Sequence, residues 1–193
     1  MKMLKILSLL AIVSIFAACG NSNVPDETET AATTVESRKS EHVVSGNFGI
    51  SLKGVYKDYL KLKDAFVETD AEKAGSLAEI LLVNINTTDS NPLTEEQLKQ
   101  WLRGKEMIVK GLNIIKGEKD INKQREGFSI VSEGMYNNLK TFGLKDLTIY
   151  QQHCPMAFEK QGANWLSDKE TVANPYFGNQ MKECGEVTHV LKN

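Results

Sequence analysis

The chain has no glycine-rich phosphate loop, no dinucleotide fingerprint, no zinc-protease helix motif and no nucleophile elbow, which closes the common sequence routes to nucleotide chemistry and hydrolysis. Basic residues are not in excess: 23 Lys and Arg stand against 25 Asp and Glu. A nucleic-acid partner would want a basic face, so none is expected. The N-terminal apolar run, Ile6 to Phe16, falls short of the roughly 20 residues that a spanning helix needs. Cysteine is scarce, with three residues at positions 19, 154 and 184, so the place of each one carries information.

The start, "MKMLKILSLLAIVSIFAACG", has two lysines, the short apolar run and the small pair Ala17-Ala18 before Cys19. That order predicts a bacterial secretory signal over residues 1–18. Small-small-Cys resembles the lipoprotein lipobox, in which the cysteine is acylated and becomes the mature N-terminus. Phe16 stands where that pattern usually has leucine, and a secreted protein cut at an ordinary site is the alternative. The expectation is a chain held on the periplasmic side of the bacterial cell envelope through lipidated Cys19, anchored to the membrane rather than inserted in it. Thiols tend to be oxidised there. Loss of the leader takes Lys2 and Lys5 with it and moves the formal charge from −2 to −4.

Residues 19–47 are rich in Thr, Ser and Glu without apolar periodicity, which predicts a flexible tether. Such a segment would hold the domain about 30 Å from the bilayer on average. His42 reads as a solvated tether residue. The domain is placed at residues 48–193.

Helical spacing begins there. Leu52, Val55, Tyr56, Tyr59, Phe66 and Val67 recur at intervals that align them on one stripe. Thr69 with Glu72 reads as a capping box opening a second helix, with Ala74, Leu77, Ala78, Leu81, Leu82 and Ile85 inward. Thr94 with Gln97 reads as another box, for a third helix carrying Leu98, Trp101, Leu102, Ile108, Val109, Leu112 and Ile115 up to Gly117. A fourth runs from about Asp120 to Phe142, with Phe128, Val131, Met135, Leu139 and Phe142 inward. Met107 and Met135 read as core filler. The expected fold is mainly α: an antiparallel four-helix bundle with a short C-terminal β-hairpin and helix.

The last fifty residues hold the chemistry. "LTIYQQHC" alternates with period two and predicts a strand, with "GANWLS" as a possible return strand. A residue before proline avoids the helical region, which keeps Cys154 extended ahead of Pro155. If that extension continues to Met156, Cys154 and Met156 share a face and His153 takes the other. In "NPYFGNQMKECGE", Asn174 as cap, Pro175 at the first helical position and Gly185 as stop predict a short helix. Met181 and Cys184 would share one face of it.

Two sulfur pairs would thus each project in one direction. Thiolates and thioethers select Cu(I), and imidazole from His153 or His189 is compatible with it; zinc has no use for methionine. The plainer reading is a disulfide: with Cys19 lipidated, Cys154 and Cys184 are two cysteines in an oxidising compartment. Closing a loop of about thirty residues would contribute roughly 3 to 4 kcal/mol in the chain-entropy model, with Met156 and Met181 packed around the bridge. A third reading, Cys154 as a nucleophile, lacks a base, because adjacent strand residues face opposite ways and His189 would have to serve. Trp165, Tyr176 and Phe177 read as packing around the site, with a cation–π contribution as the alternative.

The stretches "CPMAF", "GANWLS", "NPYFGNQMKECGEV" and "YKDYLKLKDAFVETDAEKA" resemble a bacterial envelope domain of unknown function. It is found alone in lipoproteins and appended to the periplasmic adaptor subunits of copper and silver efflux pumps. Cys-Pro-Met is also similar to the heavy-metal motif Tyr-x-Cys-Pro-Met-His-Pro of those adaptors, although Ala157 and Phe158 replace its His-Pro. The resemblance implies a connection to metal efflux, with an efflux adaptor as candidate partner, and supplies no demonstrated activity; the expectation here is a protein that is not an enzyme. Two expectations stand side by side: a Cu(I)-type binding protein using Cys154, Met156, Met181 and Cys184, with His153 or His189 in addition; or a non-enzymatic structural or interaction module stapled by a Cys154–Cys184 disulfide.

Overall fold

The computed structural model describes residues 35–193. The leader, Cys19 and most of the tether lie outside the described residues. The described residues are mainly helical, with four long helices, a small mixed sheet and a two-stranded one. Among the described residues, no helix is long and apolar enough to cross a membrane.

The helices are α1 (Gly46–Val67), α2 (Ala71–Thr87), α3 (Glu95–Gly117) and α4 (Ile121–Thr141). The stripe on α1 is buried as its spacing predicts, with Leu52, Val55, Tyr56, Tyr59 and Phe66 all inside. The cap of α2 differs from expectation. Asp70, not Thr69, accepts from the Lys73 amide at 2.9 Å, while Thr69 adopts a left-handed φ of +60° just outside the helix. An aspartate one residue nearer the helix offers the same carboxyl-to-amide bond and leaves the threonine free to turn the chain. The box at Thr94 and Gln97 forms with both of its bonds. Asp120 caps α4 through the Asn122 amide at 2.7 Å. Leu102, expected inside, is 48% exposed, because fully buried Trp101 takes the inward position and its neighbour is rotated about 100° away.

α3 and α4 approach unusually closely. A Cβ on Gly111 would stand 2.4 Å from the Gly127 carbonyl oxygen, and one on Gly134 would stand 2.7 Å from that of Gly104. Two glycines seven residues apart on each helix therefore permit backbone-to-backbone packing that any side chain would block.

The strands are β1 (Glu36–Arg38), β2 (His42–Val44), β3 (Phe142–Leu144), β4 (Thr148–Cys154), β5 (Ala163–Ser167) and β6 (Glu186–Lys192). One sheet has the order β1-β6-β4-β5, and β2 pairs with β3 in a second. β4 is antiparallel to both β5 and β6, whereas β1 runs parallel to β6. Residues 36–44, read from composition as tether, thus pair as strands. His42 is exposed but lies in β2, in register with Phe142. Long-range polar contacts explain the docking: the Ser40 amide donates to Asn193 Oδ1 at 3.0 Å and its hydroxyl to the Leu139 carbonyl at 2.8 Å. Composition cannot register bonds to partners a hundred residues away.

The helix expected near Met181 and Cys184 does not form. After Asn174 the chain makes turns and a short 3-10 helix at Gly178–Gln180, then enters β6. The sheet is tied to the helices through Tyr59. Its hydroxyl lies 2.9 Å from Ser132 Oγ on α4 and accepts from the Leu166 amide of β5 at 2.9 Å.

Candidate metal or redox site

Cys154 ends β4 and is fully buried. Pro155 stops the strand there, as the residue order predicts. The extended form does not continue to Met156, whose φ and ψ of −89° and −11° are helical. The chain then winds left-handed through Phe158, Glu159 and Lys160, with φ of +49°, +54° and +69°. Such a run costs on the order of 1 kcal/mol per residue. It is held by the Gly162 amide donating to the Ala157 carbonyl at 3.0 Å and by Phe158 packed edge-on against Tyr176 at 5.3 Å.

The second cysteine arrives on a loop organised by Asn174, which is fully buried. Asn174 Oδ1 accepts from the Tyr176 and Phe177 amides at 2.8 and 3.2 Å, the cap role its sequence position suggests. Its Nδ2 reaches across the loop to donate to the Cys184 carbonyl at 2.7 Å. Its own amide donates to the Lys182 carbonyl at 2.8 Å. Arg125 on α4 fastens the loop from below, Nε donating to the Pro175 carbonyl at 2.9 Å. Burial without a carboxylate partner lowers the Arg125 pKa from its usual value.

Gly185, expected as a helix stop, has another task. Its φ is +141°, and a Cβ there would meet the His153 carbonyl oxygen at 2.7 Å and Trp165 Cη2 at 2.9 Å. Only glycine lets this part of the loop lie against β4. The result is a Cys154 Sγ to Cys184 Sγ distance of 3.1 Å. No covalent bond joins the sulfurs at this distance; Cys154 is buried and Cys184 half-buried. The bond to Cys154, and after it burial, raises the Cys184 pKa above the ordinary thiol range.

The other sulfurs are at the surface. Met156 is 43% and Met181 37% exposed. Met156 follows Cys154 across the proline turn, and the Cys184 amide donates to the Met181 carbonyl at 3.1 Å, so each methionine stands one tight turn from its cysteine. Neither histidine joins the pair. His153 faces the other side of β4, with Nδ1 2.8 Å from Asn164 Oδ1. His189 lies on β6 with its ring 6.4 Å from that of Tyr136 and Nε2 3.9 Å from Glu36. Among the described residues, no group of three or more His, Cys, Asp and Glu is placed to hold a metal ion.

Trp165 and Tyr176 pack beside the site, rings 5.9 Å apart and edge to face. The Tyr176 hydroxyl donates to the Asn164 carbonyl at 2.6 Å, and burial raises its pKa. Sequence reasoning missed the reach of Asn174 to Cys184, the anchoring by Arg125 and the strand β6. For β6 a signal existed in the alternation of Val187, His189 and Leu191.

No curated protein and no solved structure matches the chain. Residues 55–146 match the model of a family described as a protein of unknown function (DUF3347). That span ends before Cys154, so the likeness covers the helices and leaves the sulfur site to be argued from its own geometry. In its helical part, the chain carries a domain of unknown function.

Proposed function

We propose that this protein binds a soft metal ion of the Cu(I) type at Cys154 and Cys184, as a lipid-anchored protein on the periplasmic side of the bacterial envelope. The observation that carries the reading is the meeting of two thiols thirty residues apart in sequence, 3.1 Å from each other. Two metal–sulfur bonds of about 2.3 Å meeting at a tetrahedral or trigonal angle hold their sulfurs about 3.8 to 4.0 Å apart, so the pair would share one ion by opening by somewhat less than about 1 Å. Met156 and Met181, two and three residues from the cysteines in the chain, are the candidate thioethers, and softness favours Cu(I) over zinc there. His153 and His189 drop out of the ligand set because they stand elsewhere on the sheet. The orientation of His153 also leaves Cys154 without an adjacent base, which supports binding rather than catalysis. The role is capture or hand-over of copper at the membrane, with a metal efflux adaptor as the expected partner.

The test is a Cu(I) competition titration of the reduced protein. Wild type should bind one ion, Cys154→Ser and Cys184→Ser should lose it, and Met156→Leu combined with Met181→Leu should bind more weakly with the fold intact. Equal affinity in all four proteins would remove the sulfurs from the reading.

A second reading is favoured by the same contact and by the lack of a third strong ligand among the described residues: the pair closes to a disulfide, and the protein is a structural or interaction module of the envelope. A disulfide needs its sulfurs at about 2.05 Å, a short approach from the thiol pair. A thiol count on unreduced protein separates the two, two free thiols favouring the metal and none the staple.

A further inference from the structure

The two sulfurs of the pair are not equivalent. Cys154 is 0% exposed at the inner end of β4. Trp165, in register with Gln152, covers the same sheet face, and fully buried Ala157 follows immediately in the chain. Cys184 is half-buried on an irregular loop. It lies between exposed Met181 and Gly185 in the chain, with its sulfur 3.1 Å from that of Cys154. Of the two sulfurs, that of Cys184 is the one an incoming donor can reach without opening the fold.

We propose that Cys184 is the sulfur through which the site exchanges its ion with a partner presenting thiolate or thioether donors, and that Cys154 is the retaining sulfur, last to bind and last to release. This rests on the soft-metal reading. The exchange is a ligand substitution with no change of oxidation state. The partner's sulfur forms a bond to the ion, the bond to Cys184 breaks, and Cys184 takes up a proton, from the partner where its donor is a thiol and from water where it is a thiolate or thioether. Release from Cys154 follows once the ion is held from outside. A hard donor such as a carboxylate gains nothing from this route, because the ion prefers sulfur.

The first test uses reduced, metal-free wild-type protein and short pulses of iodoacetamide, with each cysteine read by mass spectrometry. Cys184 should be labelled faster than Cys154 by about tenfold or more, because Cys154 reacts only after local opening. Equal rates, or faster labelling of Cys154, would overturn the assignment whether or not copper binds. The second test loads Cu(I) and follows its transfer to a short peptide carrying two cysteines. With loaded wild-type protein quenched by iodoacetamide during the transfer, Cys184 should lose its protection before Cys154 does, and the reverse order overturns the proposal. Absence of Cu(I) binding overturns the metal reading and the exchange together, and the labelling ratio then still reports whether the two thiols differ.

Discussion

Asn174 grips Cys184 by its carbonyl, through an Nδ2 donor 2.7 Å away, while the oxygen of the same amide caps the Tyr176 and Phe177 backbone. One buried side chain thus both shapes the loop and fixes where its cysteine lies. The two functions can be separated chemically. Asn174→Asp keeps the acceptor but loses the donor to Cys184, and it should destabilise the domain by about 1 to 3 kcal/mol. The loosened Cys184 should also form a disulfide with Cys154 less readily against glutathione. An unchanged disulfide equilibrium in a folded Asn174→Asp protein would show that Cys184 is placed by something else.

Gly185→Ala meets a backbone carbonyl and an indole at once. Its Cβ would stand 2.7 Å from the His153 oxygen and 2.9 Å from Trp165 Cη2, at a φ of +141°. The loop must lift from β4, and the expected cost is about 1 to 3 kcal/mol in thermal or denaturant unfolding. Iodoacetamide labelling of Cys154 should accelerate in the same variant, because the loop no longer covers it.

The raised pKa of Cys184 has a sign that can be worked through. The fold favours the protonated thiol, chiefly by the bond to Cys154. That contribution is complete below the range in which an unfolded thiol ionises, and it is lost as pH rises through the higher folded value. The reduced domain should therefore become less stable as pH rises above about 8.5, where free cysteine titrates. Cys154→Ala removes the partner and should lower the midpoint of Cys184 alkylation against pH.

Tyr59 joins α1, α4 and β5 through one hydroxyl, 2.9 Å from both Ser132 Oγ and the Leu166 amide. Tyr59→Phe keeps the ring and strands two buried polar groups. A loss of about 1 to 3 kcal/mol is expected in urea unfolding. Cu(I) affinity should change far less than in Asn174→Asp, because the Tyr59 hydroxyl bonds to Ser132 and Leu166 and not to the Cys184 loop.

Helices were legible because their signals are local. The stripe from Leu52 to Phe66, the box at Thr94 and Gln97 and the cap at Asp120 all act within one or two turns of chain. Thr69 was misread for the same reason: two capping residues stood side by side, and only the path of the chain chose between them. The sulfur site was legible as a pair of cysteines and not as a geometry. Met156 left the strand because the chain turns behind Pro155, and the Met181–Cys184 segment is a loop because Asn174 spends its amide on Cys184.

The sequence alone determined four helices, a strand ending at Cys154 and a proline stop, since each depends on neighbours a few residues apart. Tertiary structure decided that Cys154 meets Cys184, that both histidines stand apart from them, and that residues 36–44 join the sheets. Those outcomes depend on fits between distant parts: a glycine flat against an indole, an asparagine reaching a carbonyl, Ser40 bonded to the last residue. Such contacts have no period along the chain, and they exist only once the segments that make them have been brought together.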